Sequence, residues 1–215
     1  MPRTTAAEGA LGELGRAIEA ITRRQPTREM LGRFQKYLEL LTSWNRTHHL
    51  TSYRTPWEIV RGLFIDSLLF IPVLPPRPMR LVDIGAGPGI PGIPIRIVEP
   101  GVEITLVESR RKPVSFLAAV KRELGLADVE VVHGRAGAEA AHPRGQYDCA
   151  VVRGVRLDEE LRAAALGYLK PGGRLVCGGA PSGSAAAASG PADADVEEVD
   201  FPEIGFRRRF VIVRV

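Results

Sequence analysis

The chain has 215 residues, of which 45% are apolar and 25% charged, the balance of a globular protein with one sizeable core. That balance excludes fibrous, collagen-like and wholly disordered classes. Basic residues number 29 against 25 acidic ones, a formal charge of +4, and every basic residue except Lys36, Lys112, Lys121 and Lys170 is an arginine. Guanidinium grips phosphate and carboxylate through a planar fork, so the composition is compatible with a polyanionic partner without requiring one. The excess sits in residues 1–78, with 11 basic and 7 acidic residues; the remainder balances at 18 and 18. An ordinary solvated helical surface carries charge in the same way.

Along the chain, residues 10–24 and 28–45 show helical spacing, the second through Met30, Leu31, Phe34, Tyr37, Leu38, Leu41 and Trp44. A further helix is predicted over Ile59–Leu69, with Thr55 as its cap and Pro56 in its first turn. Pro72, Pro75, Pro76 and Pro78 end it, so residues 1–78 read as a helical N-terminal region and residues 79–215 as a second domain. There the pattern alternates. Strands are predicted at Met79–Ile84, Val102–Val107, Val129–Val132, Tyr147–Val152 and Arg174–Cys177. Helices are predicted between the first two strands, at Arg111–Leu124 and at Asp158–Leu169. This order argues for an α/β fold with a doubly wound, mostly parallel sheet covered on both faces. Residues 180–195, rich in Ala, Ser, Gly and Asp, read as a flexible loop, and Arg209–Val213 as a last strand.

Cys149 and Cys177 each lie inside a hydrophobic run, which suits buried thiols in a reducing compartment better than a disulfide framework. No metal-ligand spacing, 18-residue apolar run or signal-peptide pattern is present. The expectation is a cytoplasmic monomer without metal or membrane partner.

Asp83-Ile84-Gly85-Ala86-Gly87-Pro88-Gly89 follows the first predicted strand and precedes a helix, where a doubly wound sheet binds a nucleotide-like ligand. Glycine lets the backbone turn tightly and approach a ligand closely. A dinucleotide fingerprint wants glycines at its first, third and sixth positions; counted from Gly85, the sixth is Ile90, and the match fails. Glycines at alternate positions, with Asp83 upstream, follow instead the pattern of S-adenosylmethionine-binding methyltransferases. Glu108 ends the second strand, where a carboxylate can accept hydrogen bonds from both ribose hydroxyls; a cap for the next helix is the lesser reading. Arg135, Ala136 and Gly137 follow the third strand beside the expected adenine position, and Arg153 ends the fourth near the expected rim. The fourth strand lacks the Asn/Asp-Pro-Pro-aromatic motif that holds an exocyclic amine, and His133, His142 and Asp148 form no hydrolase triad.

Several segments resemble the bacterial small-subunit ribosomal RNA guanine-N7 methyltransferase family, also called the glucose-inhibited division protein B family. They are Trp44-Asn45-Arg46, Leu50-Thr51-Ser52-Tyr53-Arg54, Asp66-Ser67, Gly85–Pro94, Glu108-Ser109 with Lys112, Val114, Phe116 and Leu117, then Arg135, Arg153 and Lys170–Arg174. The resemblance spans roughly residues 30–180. It implies a class I S-adenosylmethionine-dependent methyltransferase fold, Rossmann-like, with an antiparallel C-terminal strand and an N-terminal helical extension. It implies methyl transfer from S-adenosylmethionine to N7 of a guanine in 16S ribosomal RNA, bare or in the small subunit. It also implies cofactor contacts at Gly85, Ile90, Ala136, Gly137 and Arg153, with Glu108 on the ribose; Asp83 and Gly87 belong to the same loop pattern. Arg153 is expected to position cofactor or guanine, and Arg110, Lys112, Arg135 and Arg208, with its neighbours Arg207 and Arg209, to meet RNA phosphates. For the arginine run, a solvated strand end near the acids of 193–200 is the competing reading.

The chain departs from the family pattern where Gly62-Leu63 replace an arginine-histidine pair, and at His49, Pro113, Ser115 and Gly179. A methyltransferase with another acceptor, a non-catalytic RNA-binding relative and, distantly, a dinucleotide oxidoreductase are the competing functions. Guanine N7 brings its own lone pair, so no base must remove a proton, and orientation dominates the expected catalysis.

Overall fold

The computed structural model describes residues 5–137, 145–154, 157–178 and 194–215. A capping box starts α1 (Ala6–Thr22): the Thr5 hydroxyl accepts from Glu8 N, and the Glu8 carboxylate accepts from Thr5 N. Thr27 caps α2 (Arg28–His48), which turns Phe34, Tyr37, Leu38 and Leu41 inward. A second capping box, Thr55 with Glu58, and Pro56 at the first position start α3 (Pro56–Ile59). The expected helix over Ile59–Leu69 then widens into π-helical turns over Val60–Ile65 before returning to α geometry in α4 (Asp66–Leu68).

Seven strands follow: β1 (Met79–Ile84), β2 (Val102–Glu108), β3 (Val129–His133), β4 (Tyr147–Arg153), β5 (Leu169–Gly178), β6 (Asp195–Phe201) and β7 (Phe206–Arg214). They form one sheet in the order β3-β2-β1-β4-β5-β7-β6. β1 to β5 are parallel, β7 is antiparallel to β5, and β6 is antiparallel to β7. Helices α5 (Gly92–Val98), α6 (Arg111–Glu123) and α7 (Glu159–Tyr168) complete the fold.

The single C-terminal strand expected from sequence is a two-stranded hairpin. β6 escapes sequence reading because Asp195, Glu197, Glu198 and Asp200 give it the polarity of a loop; as an edge strand it packs against the core only through Val199 and Phe201, both partly buried. The expected loop at 180–195 otherwise lies outside the described residues.

Side chains alternate across the sheet. Leu81, Leu106, Val151, Val176 and Ile212 point into the larger core, which they share with Leu14, Phe34, Tyr37, Leu41 and Phe64 of the helical layer. Val82, Val107, Val152, Cys177 and Val213 point to the other face, under Ala165 and Tyr168 of α7. Each such apolar side chain contributes roughly 1.5–3 kcal/mol by burial, so the N-terminal helices are bound to the sheet by a shared interior. Both cysteines are buried and free, as expected, and burial pushes the Cys177 thiol up to about 12. Among the described residues no helix is long and apolar enough to cross a membrane.

Candidate functional site

After β1 the chain turns through Gly85, Gly87 and Gly89, all with positive φ (72°, 55° and 94°), a region that strongly favours glycine. Gly85 N and Ala86 N donate to Val107 O at 2.9 and 3.1 Å, tying the loop to β2. The helical layer holds it from the other side: the Tyr37 hydroxyl donates to Pro88 O at 2.5 Å, and the Tyr37 ring stacks on Phe64 with centroids 4.8 Å apart. A Cβ on Gly89 would meet Ile93 Cγ1 at 2.6 Å and Tyr37 Oη at 3.1 Å, so only glycine permits this packing.

An open pocket of about 360 Å³ lies beside this loop. Ile84 and Gly85, Val107 to Arg110, Gly134 to Ala136, and Asp158, Glu160 and Leu161 line it. These are the carboxyl ends of β1, β2 and β3 and the start of α7, the crevice where open α/β sheets bind ligands. Glu108 is 3% exposed. Its Oε2 accepts from Gly87 N at 2.8 Å and from an Arg110 Nη at 3.4 Å, and its Oε1 accepts from Arg110 N at 2.9 Å and Arg110 Nε at 3.1 Å. Desolvation pushes this carboxyl up, but the hydrogen bonds from Arg110 and Gly87 outweigh it and hold it below the ordinary range.

Asp83 lies beneath the loop, fully buried. Its Oδ2 accepts from Gly92 N at 2.8 Å; its Oδ1 is buried with no hydrogen-bond partner among the described residues. Burial pushes it up to about 7, partly offset by the Gly92 bond and the Arg153 charge, while the Glu108 charge adds to the rise.

The structure distributes the expected site residues unevenly. Gly85, Glu108, Arg110, Arg135 and Ala136 line the pocket; Gly87 reaches it through Glu108. Gly137 follows Ala136 with φ of 85°, and Ile90 is buried in the loop. Arg153 is turned toward the helical layer: its Nε donates to Asp66 Oδ2 at 2.7 Å and an Nη donates to Gly62 O at 2.6 Å.

Arg208 is a correction. Strand alternation puts it inward with Phe206, Phe210 and Ile212, only 4% exposed and paired with Asp66, so it faces the protein interior and not a phosphate. Arg207 and Arg209 lie on the other face and hold Glu198 between them at 2.6 and 3.0 Å, the solvated strand end that the competing reading described. Arg135 is exposed and pairs with Glu160 at 3.3 Å. Arg111 and Lys112, at the start of α6, are exposed.

Sequence reasoning missed Asp158, Glu160 and Leu161. Asp158 N-caps α7, accepting from Leu161 N at 2.8 Å, and that cap is a legible signal. Tyr37 gave none, since it occupies an apolar helix position like its neighbours. Of the departures from the family pattern, Leu63 and Pro113 are buried and Ser115 is exposed. Gly62 faces the Tyr53 ring, whose Cζ would lie 2.5 Å from an added Cβ; Gly179 lies outside the described residues.

A seven-stranded sheet in this order, with a glycine loop after β1 and an acid at the end of β2, defines a class I S-adenosylmethionine-dependent methyltransferase fold. Solved structures agree. The chain matches a SAM-dependent methyltransferase from Aquifex aeolicus with a TM-score of 0.55 at 15% identity, over 74% of this chain and 93% of that one. It matches P. horikoshii TYW2 in complex with MeSAdo with a TM-score of 0.53 at 16% identity, over 71% and 62%. In sequence, the family model of rRNA small subunit methyltransferase G matches residues 30–184, and the chain belongs to that family. Ribosomal RNA small subunit methyltransferase G of Streptococcus pyogenes serotype M12 is 38% identical over 148 residues, 66% of this chain and 62% of that protein. The Acetivibrio thermocellus protein of the same name is 35% identical over 150 residues, 69% and 62%. The chain thus spans about 62% of the length of these relatives.

Proposed function

We propose that this protein transfers a methyl group from S-adenosylmethionine to N7 of a guanine in 16S ribosomal RNA. The observation that carries the reading is Glu108, a buried carboxylate beside the glycine loop at the mouth of a 360 Å³ pocket, in a chain of the rRNA small subunit methyltransferase G family.

The residues suit the cofactor. Glu108 offers carboxylate oxygens to a ribose diol, Gly85 and Ala136 leave room for close approach along the pocket walls, and Leu161 supplies an apolar surface. Asp83 and Arg153 complete the proposed cofactor set with Gly87, Ile90 and Gly137. When bound, S-adenosylmethionine supplies an electrophilic sulfonium methyl. This chain's residues then have only to hold and orient, because guanine N7 carries its own lone pair and surrenders no proton. Lys112 and its neighbour Arg111, exposed at the start of α6 beside the pocket, are the proposed phosphate contacts, with Arg135 after β3. A cytoplasmic location accompanies this reading.

Incubating the protein with assembled small subunits, or with bare 16S RNA, and labelled S-adenosylmethionine, followed by nucleoside analysis, tests it. 7-Methylguanosine on one of the two substrates is expected. Cofactor binding with no such nucleoside on either overturns the acceptor.

A further inference from the structure

The pocket's own arginine sits on the carboxylate that the proposed cofactor needs. An ionised carboxylate offers about four lone-pair sites, and at Glu108 four N–H groups of this chain take them. Two are backbone donors, Gly87 N and Arg110 N, fixed by the glycine loop and by the start of α6. The other two, Arg110 Nε at 3.1 Å and an Arg110 Nη at 3.4 Å, belong to a side chain that is 67% exposed. The same guanidinium lies 3.8 Å from the Cβ position of Gly87, so it spans the mouth between loop and acid.

We infer that Arg110 is a specificity-determining residue of this pocket: its guanidinium occupies the two acceptor positions that a vicinal ribose diol uses, and a ligand bearing that diol binds by displacing it. The inference rests on the cofactor reading above and goes beyond it, because it makes affinity depend on an exchange between a side chain and a sugar at one carboxylate. A ligand that lacks the two hydroxyls has no reason to displace the arginine and binds with it in place. An ion pair with one partner this exposed is worth at most about 1 kcal/mol, so the exchange weakens binding of the diol ligand by about threefold to fivefold.

Calorimetric titration of the parent protein and of Arg110→Ala with S-adenosylhomocysteine and with its 2′,3′-dideoxy analogue tests this, with thermal melting to establish that the variant is folded. The expected result is a threefold to fivefold tighter binding of S-adenosylhomocysteine by the variant, and the same affinity of both proteins for the dideoxy analogue. In the parent, the Arg110 Nε–H resonance is expected to shift with S-adenosylhomocysteine and to stay in place with the analogue. Unchanged or weaker binding of S-adenosylhomocysteine by Arg110→Ala, or an equal gain with both ligands, overturns the inference while leaving the cofactor reading intact. Failure of S-adenosylhomocysteine to bind either protein overturns the cofactor reading and the inference with it.

Discussion

Asp66 of α4 receives Arg153 Nε on Oδ2 at 2.7 Å and Arg208 on Oδ1, so one buried carboxylate joins the helical layer, the end of β4 and the antiparallel strand β7. Neither arginine is more than 18% exposed. Removing the acid takes one shared counter-charge from two interior cations, a loss of about 3–5 kcal/mol when a buried pair is broken. Asp66→Ala is expected to lower unfolding stability by that amount in denaturant titration at neutral pH; a loss below about 1 kcal/mol would place the pair in effective contact with water.

The Tyr37 hydroxyl is the direct tie between α2 and the glycine loop. Tyr37→Phe keeps the stacking on Phe64 and loses one hydrogen bond, leaving the half-buried Pro88 carbonyl short of a partner, at a cost of about 1 kcal/mol. We expect a matching fall in stability together with weaker S-adenosylhomocysteine binding, read by melting and by calorimetry. Unchanged affinity would show that the loop keeps its shape without the helical layer.

Gly62 and Tyr53 occupy one space. A Cβ at 62 would fall 2.5 Å from Tyr53 Cζ, so the arginine that the family pattern has at this position cannot be restored alone. Gly62→Ala is expected to destabilise by about 1–3 kcal/mol through overpacking. Adding Tyr53→Ala should relieve most of that cost, and strict additivity of the two substitutions in a double-mutant cycle would refute the steric account.

Asp83 sets a pH dependence. Burial raises it to about 7, against the Gly92 hydrogen bond and the Arg153 charge. The folded state keeps a proton that the unfolded chain releases near pH 4. The contribution is therefore fully present below about pH 4, declines as pH rises, and is gone above about pH 7. Asp83→Asn removes the dependence: its melting temperature relative to the parent should improve between about pH 5 and pH 8. A constant difference across that range would contradict the raised value.

Two pairs of exposed cations differ in their surroundings. Arg207 and Arg209 are held by Glu198, whereas Arg111 and Lys112 have no ion pair among the described residues and flank the pocket. Arg111→Ala with Lys112→Ala should weaken RNA binding and reduce its salt slope by about one to two units, while Arg207→Ala with Arg209→Ala should leave both unchanged. Equal effects from the two pairs would mean that RNA also contacts the C-terminal hairpin.

The parallel strands, the glycine loop and Glu108 were legible in sequence because each rests on local rules: apolar runs, positive φ, and an acid where a strand ends. What escaped depends on pairing between distant segments. β6 hid because its acids are matched by arginines of β7. Arg208 has the look of a surface residue in a run of three arginines; its phase with Phe210 and Ile212 is the clue the sequence contains. The sequence predicts Arg153 near the rim, but its partner Asp66 lies 87 positions away, beyond any periodicity.

Asp66 and Arg208 are separated by 142 positions, so one carboxylate ties distant parts of the sequence together. As the chain is synthesised from its N-terminus, Asp66 and Arg153 are available to each other well before Arg208 has been made. The contact between the carboxylate and its second arginine exists only with β7 in place between β5 and β6, which makes it one of the non-local contacts that raise contact order. The hairpin acts as a latch: without β7, the charge at the junction of helices and sheet lacks one of its two arginines.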